Sequence, residues 1–347
     1  MRERDLANRE SWRTMVLRSM QTPHWLSADG PDLDVVISSR VRFARNLQMH
    51  RFPNHCSADE AWLIARKIES ASHALKLDRF QQLSKAEKDY MLGARLASPE
   101  FLEPAEGRVL LLNQSRSLSI MVNEEDHLRL QILTPGWSIE SGHDEARAAM
   151  ATLQQSLTWA KASSWGYLTA SPYNIGPAIR LSAMFHLIAL AHLKRIGPVI
   201  QALTSTGLVV RGLFGESSRA VGAFFQVSAT RGEMAPYVGS AAYLLKLERE
   251  ARAEIGKTEL ERLVTEAVNF AVEQKELPLH DALRVLAWVR FAAASGLAFA
   301  PGSVRDVDHL LTTLEIQAPA DPKQASRDRA HTLRPFLEQM LPFRTKS

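Results

Sequence analysis

The stretch LSIMVNEEDHLRLQIL, residues 118–133, decides the fold. It opens on the apolar run Leu118–Val122 and closes on Leu128–Leu133, where Leu128, Leu130 and Ile132 alternate with Arg129 and Gln131. Alternation at period two marks the second run as a strand with one apolar face. Only Asn123-Glu124-Glu125-Asp126-His127 separates the two runs, so the strands must turn back on each other as an antiparallel pair. Arg108–Asn113 is a further strand-length run, joined to Leu118 by a tight connection. The loop sets three carboxylates side by side. Like charges at that spacing repel unless a cation compensates them. A hydrated hairpin loop is one reading; a clamp for a cationic ligand, or a general base, is the other.

Working outward from the hairpin, Val35–Ser38 reads as β and leads into Ser39-Arg40-Val41-Arg42-Phe43. If this run is extended, Arg40 and Arg42 share one face, and Val41 and Phe43 the other. Ser57-Ala58-Asp59-Glu60 and Ser84-Lys85-Ala86-Glu87 have the spacing of capping boxes. The first precedes a helical pattern through Trp62, Leu63, Ile64, Ile68 and Ala71. Downstream, Glu140–Trp159 carries Ala146, Ala149, Leu153 and Leu157 at helical spacing, and Ala178–Leu193 reads as a long helix with Arg180 in its first turns. Leu208–Arg211 and Ala223–Ser228 read as strands around a Gly-containing loop. Past residue 237 the pattern turns helical: Ser240–Ile255, Glu259–Gln274, His280–Ala294, Val304–Glu315 and a charged helix from Ala325 to Leu341. The expected class is α+β, an antiparallel β-sheet flanked by helices and followed by an all-helical C-terminal domain. The expected divisions are a lead-in over 1–30, a catalytic domain over 31–237 and a helical domain over 238–347.

Composition narrows the function classes. The 347 residues are 46% apolar and 23% charged, which is globular composition, and 42 basic against 38 acidic side chains give a net charge of +4. One cysteine, Cys56, excludes an internal disulfide framework and a Cys-rich zinc module. No apolar run reaches the length of a membrane span, and the polar N-terminus lacks a signal-peptide core, so the expectation is a cytoplasmic protein with no membrane contact. The P-loop is absent: Gly256-Lys257-Thr258 has Ala251 where its first glycine belongs. The G-x-G-x-x-G, H-E-x-x-H and G-x-S-x-G signatures are absent as well.

Arginines are the informative residues. Arg40, Arg42, Arg45 and Arg51 fall within twelve residues that contain no acid. Arg129, Arg180 and Arg211 sit on or beside predicted elements. Guanidinium forks in such places suit a polyphosphate, because each can make bidentate bonds to phosphate oxygens. Solvated or salt-bridged arginines fit the same pattern. No aromatic-rich basic platform accompanies the Arg40–Arg51 cluster, which argues against nucleic acid. Glu216 is an isolated acid in the loop that follows Arg211, and Ser171 opens the turn Ser171-Pro172-Tyr173-Asn174.

In order, S-S-R-V-R (38–42), N-E-E-D-H-L-R (123–129), S-P-Y-N-I-G-x-x-x-R (171–180) and R-G-x-x-G-E (211–216) resemble the phosphagen, or guanidino, kinase family. The resemblance covers residues 30–237. It is nearest to the bacterial protein-arginine kinase branch, because a short lead-in precedes S-S-R-V-R and a helical segment follows the last motif. The resemblance implies ATP and Mg²⁺ as cofactors. It implies that Arg40, Arg42, Arg129, Arg180 and Arg211 bind the ATP phosphates. It implies that Glu125 orients the acceptor guanidinium and takes its proton, with Glu216 as a second carboxylate and Glu124 in support. Mg²⁺ would be held by phosphate oxygens and water rather than by a protein cage. Implied partners are proteins with exposed arginines, a protease of protein quality control, and a second copy of the chain in a homodimer. Tyr173 and Pro177 stand where the family has smaller or polar residues, and two further departures bear on function. Ser171 stands where the family has a cysteine that contacts the guanidinium as a thiolate. Arg327-Asp328 resembles the start of a phosphoarginine-binding R-D-x-x-R-A segment, but its second arginine is displaced. The alternatives are a catalytically weak adaptor that binds nucleotide or phosphoarginine, and a kinase of free arginine or another small guanidine.

Overall fold

In the computed structural model, residues 21–212, 220–297, 302–316 and 321–341 are described. The elements, in chain order, are α1 (His24–Ser27), β1 (Val36–Arg45), α2 (Ala58–Ala71), β2 (Asp78–Phe80), α3 (Lys85–Gly93), α4 (Pro99–Leu102), β3 (Val109–Leu112), β4 (Leu118–Val122), β5 (Leu128–Pro135) and α5 (Ile139–Gln154). There follow β6 (Lys161–Ala162), β7 (Gly166–Tyr167), β8 (Ile179–His186), α6 (Ile188–His192), α7 (Ile196–Ser205), β9 (Val209–Gly212) and β10 (Phe224–Ala229). Helices α8 (Met234–Glu273), α9 (Leu279–Ala294), α10 (Val304–Ile316) and α11 (Pro322–Glu338) close the described chain. This is the α+β class expected, with a helical C-terminal region.

Strands pair in the order β2-β3-β4-β5-β1-β8-β10-β9. The β4–β5 register sets Leu118 opposite Ile132 and Val122 opposite Leu128, so the hairpin read from the sequence forms with its five-residue loop. By contact density the chain divides into two compact units. One comprises Met1–Ser27, Val41–Leu133 and Glu140–Arg180; the other comprises Ala28–Arg40, Thr134–Ile139 and Leu181–Ser347.

Local chemistry explains most elements of the first unit. The Ser57 hydroxyl accepts from the Glu60 N–H and starts α2, with Asp59 and Glu60 in the first turn, where the helix dipole favours acids. Its buried face is Ala61, Ile64, Ala65 and Ile68. Trp62 and Leu63 lie off that face, half-buried and exposed, where the sequence pattern had counted them in. Ser84 and Glu87 form the reciprocal capping box of α3. β3 and β4 are buried on both faces, which is why they read as continuous apolar runs.

The second unit corrects one expectation. Residues 178–193 are not a long helix: Ile179–His186 form strand β8, and only Ile188–His192 are helical. Arg180 therefore sits on a strand. A run buried from Leu181 to His186 shows neither period, so its apolar character fits a buried strand as well as a helix. Partners decide between them: Phe224 pairs with His186 and Ala229 with Leu181 along β10. In the C-terminal region, the predicted helices 240–255 and 259–274 are one element, α8, interrupted at Gly256 with φ +71°, a conformation glycine adopts without Cβ strain. Among the described residues no helix is long and apolar enough to cross a membrane.

Candidate active site

In the first unit the β4–β5 loop divides its polar residues between two tasks. Asn123 adopts φ +55°, a left-handed conformation that suits asparagine. Its side-chain amide donates to the Ala61 and Gly107 carbonyls, both at 2.9 Å. Glu124 is buried. It accepts from the Ser98 hydroxyl at 2.7 Å and from an Arg129 guanidinium N–H at 2.5 Å. Asp126 is buried as well, accepting from the Asn46 amide at 2.6 Å and the Ala170 N–H at 2.7 Å. His127 is fully buried. Its Nδ1 accepts from the Leu47 N–H at 3.0 Å, which leaves the proton on Nε2 to donate to the Arg51 carbonyl at 2.7 Å. Glu125 alone is exposed, and no hydrogen bond holds its carboxylate among the described residues.

The electrostatics follow this division. Burial pushes the Glu124 carboxyl up, but the charge and hydrogen bond of Arg129, with the Ser98 hydroxyl, hold it below the ordinary glutamate value. Glu125 goes the other way: partial burial, then the negative charges of Asp126 and Glu124, raise it against the pull of Arg129. Burial raises Asp126 despite its two donors. Burial brings His127 down to about 4, so it is neutral at physiological pH. An exposed carboxylate of raised proton affinity, locked beside a guanidinium–carboxylate pair, suits proton exchange and cation alignment.

Ser171 lies one residue beyond the Ala170 N–H that binds Asp126, so one hydrogen bond ties its turn to the carboxylate loop. Ser171 is half-buried. Its carbonyl accepts from the Thr169 hydroxyl at 2.8 Å and from the Asn174 N–H at 3.0 Å. Arg42 and Arg180 are half-buried on β1 and β8, and the Ala44 N–H donates to the Ala178 carbonyl near both. Arg45 belongs elsewhere. It lies on the buried face with Val41 and Phe43, its guanidinium 3.5 Å from the Tyr167 ring centre, and burial lowers it to about 10.

In the second unit Arg40 donates to the Gln226 side chain at 3.3 Å and stands 3.5 Å from the Ser182 hydroxyl. Gln226 is directly opposite Arg211 in the β10–β9 register. Residues opposite one another share a face, so Arg40 and Arg211 flank Gln226 on one side of the sheet. Arg211 is exposed. Glu216 lies outside the described residues. Arg327 is exposed and pairs with Glu276 at 2.9 Å, and Asp328 accepts from the Gln324 amide at 2.7 Å. Sequence reasoning missed Asn46, Ser98 and Gln226. Their types and spacing carry no signal, and only the folded register brings them to the charged groups. Among the described residues no three His, Cys, Asp or Glu side chains converge on a point that could hold a metal ion.

The family model described as ATP:guanido phosphotransferase, C-terminal catalytic domain, matches residues 60–232. Proteins named protein-arginine kinase match over most of their length. The one from Halothermothrix orenii is 33% identical over 82% of this chain and 84% of its own. The one from Moorella thermoacetica is 36% identical over 80% and 85%. The chain belongs to the ATP:guanido phosphotransferase family. A third relative of this guanido phosphotransferase, from Desulforamulus reducens, is 39% identical over 69% of this chain and 71% of its own. Solved structures bear out the fold. Lombricine kinase superposes with a TM-score of 0.57 at 18% identity, over 68% of this chain and 74% of its own. The duplicated taurocyamine kinase of Schistosoma mansoni gives 0.56 at 20% identity, over 74% of this chain and 41% of that one.

Proposed function

We propose that this guanido phosphotransferase moves the γ-phosphoryl group of Mg·ATP to the guanidino group of arginine residues in proteins. The observation that carries the reading is the loop chemistry: Glu124 held ionised by Arg129, and Glu125 exposed beside them with raised proton affinity. The names of the relatives supply the acceptor class, and they favour transfer over an adaptor that only binds.

A guanidinium is protonated at neutral pH and is a poor nucleophile until it loses a proton. Glu125 would align its planar fork and accept that proton as the N–P bond forms to the γ-phosphorus and the P–O bond to ADP breaks. Glu124 would fix Arg129 in place. Arg40, Arg42, Arg129, Arg180 and Arg211 would neutralise the phosphate oxygens, with Glu216 as a second carboxylate on the acceptor. Mg²⁺ enters with ATP as part of the substrate. An ion held through phosphate oxygens and water needs no dedicated protein cage. Ser171 offers a neutral hydroxyl where a thiolate would add charge, and this position tunes rate rather than binding. The same family reading carries a homodimer, a protease partner of protein quality control, a phosphoarginine site at Arg327 and Asp328, and a cytoplasmic setting.

The test is transfer from labelled Mg·ATP to casein and, in parallel, to free arginine. Acid-labile, hydroxylamine-sensitive label on casein and not on free arginine is the expected result. Label on free arginine alone would replace the acceptor class. Label on neither would overturn the reading.

A further inference from the structure

Asn46 follows directly on β1, and it stands where three segments of the first unit meet, completely buried. Its side-chain amide donates to Asp126 Oδ1 at 2.6 Å and to the Leu168 carbonyl at 3.2 Å, and its oxygen accepts the His127 N–H at 2.9 Å. Two acceptors on one side and a donor on the other fix which way the amide faces. The same Asp126 oxygen accepts the Ala170 N–H at 2.7 Å. Asn46 and Asp126 thus join the end of the carboxylate loop to the run 168–170 that leads into Ser171.

The main chain closes this junction. The Asn46 carbonyl accepts the Ala160 N–H at 2.7 Å, and the Ala160 carbonyl accepts the Leu168 N–H at 3.0 Å. Leu168 is therefore held to Asn46 through both of its backbone groups. Beyond it, the Ser171 carbonyl takes the Thr169 hydroxyl and the Asn174 N–H, which stiffens the turn. Glu125 immediately precedes Asp126, so a shift of Asp126 carries Glu125 with it. An aliphatic side chain at 46 would leave the buried His127 N–H without its acceptor and Asp126 with one donor fewer. An aspartate there would set two carboxylates against each other.

We infer that Asn46 is a positioning residue for phosphoryl transfer: acting through Asp126, it holds the Ser171 turn and Glu125 in one register, so that both address the same acceptor guanidinium. The inference rests on the transfer reading above and adds to it a buried residue that acts on the acceptor only through its neighbours. Small displacements of catalytic groups weigh heavily on rate, about a hundredfold for 1 Å.

The test uses the full chain with Asn46→Ala, Asn46→Asp and the exchanged double variant Asn46→Asp with Asp126→Asn. In the exchanged variant amide and carboxylate trade places, and the hydrogen bond between them is kept. Transfer from labelled Mg·ATP to casein and to free arginine is measured at each variant's own pH plateau, beside ATP affinity and urea denaturation. Both single variants should lose about a hundredfold in kcat, with ATP affinity within about twofold of the wild type. The exchanged variant should recover kcat to within about tenfold of the wild type. A purely structural role would cost stability and leave kcat per folded molecule unchanged, and that result would overturn the inference. An exchanged variant that folds but stays as slow as the single ones would overturn it too. If the single variants do not fold, the exchanged variant decides alone: recovery supports the inference, and a slow or unfolded product overturns it. If the wild type labels free arginine only, the acceptor class falls and the same comparison runs on free arginine. If it labels neither, the transfer reading falls and the register is read by hydrogen exchange. The Ala170 and His127 amides should then lose protection together in Asn46→Ala and keep it in the exchanged variant; loss at His127 alone would overturn the register.

Discussion

Among the described residues, a buried cluster in the second unit and the β4–β5 loop both set acids against guanidiniums, and they are built to opposite ends. In the second unit Arg290 donates to Asp308 at 2.6 Å and to the Leu33 and Asp34 carbonyls, with both side chains fully buried. Nearby, Arg252 donates to Glu248 at 2.8 Å and to the Asp34 and His186 carbonyls, while Glu248 accepts the Ala189 and Leu190 N–H groups at the start of α6. Arg305 joins the first pair with its guanidinium 3.5 Å from Asp308, so two acids face three guanidiniums and neither acid is left unmatched. In the β4–β5 loop the ion pair among the described residues is Arg129 with Glu124, and Glu125 gains none of its own. The buried cluster, in which both acids are matched, stabilises the fold around α6, α8, α9 and α10. The unbalanced loop leaves Glu125 with an unfilled demand for a cation, and a demand of that kind is what an acceptor guanidinium meets.

The contrast makes graded predictions. Arg290→Met should have the largest effect on stability, about 3–5 kcal/mol, because it removes the close partner of buried Asp308 and leaves it only the longer contact to Arg305. Urea denaturation checks this, and a loss under 1 kcal/mol would mean the cluster is not what holds these helices. Next comes acid sensitivity. His127 titrates at about 4 in the fold, below its ordinary 6.5. The unfolded chain therefore binds the proton first as pH drops. Stability from this residue is complete above pH 6.5 and is lost between 6.5 and about 4, to a total of about 3 kcal/mol. A pH series of melts should show this slope in the wild type and a shallower one in His127→Gln; equal slopes would contradict it. Glu124→Gln should cost about 1–3 kcal/mol, since it weakens a buried charged pair. It also removes a negative neighbour of Glu125 and releases Arg129 towards it. Both changes lower the Glu125 proton affinity, so the acid limb of the pH–rate profile should move to lower pH. A limb that stays or rises would break the electrostatic account. The smallest effect belongs to Ser171→Cys, where a thiolate beside the loop should raise the rate severalfold with the KM for ATP unchanged.

Much of this was legible in the sequence. Period-two alternation in Leu128–Leu133 and the short polar loop sufficed for the hairpin, and four ordered motifs sufficed for the family. The strand at Ile179–His186 was not legible, because a run buried on both faces loses the alternation that separates strand from helix. Nor was the division of labour within Asn123–His127. Sequence sets Glu124, Glu125 and Asp126 side by side as equals. Only the fold supplies Ser98 and Arg129 to the first and Asn46 and Ala170 to the third, and so singles out the second. Trp62 was misjudged for a related reason. Helical spacing counts it with the core, but it is only half-buried and its indole N–H donates to Glu106 at 2.8 Å.

The central claim is that Glu125 acts and its neighbours hold. The most direct measurement pairs phosphoryl transfer to casein with urea denaturation for Glu125→Gln. The account predicts that transfer falls by a factor on the order of a thousand, while stability and ATP binding stay at the wild-type level. Transfer that persists within tenfold of wild type, or a stability loss as large as that of Arg290→Met, would contradict it.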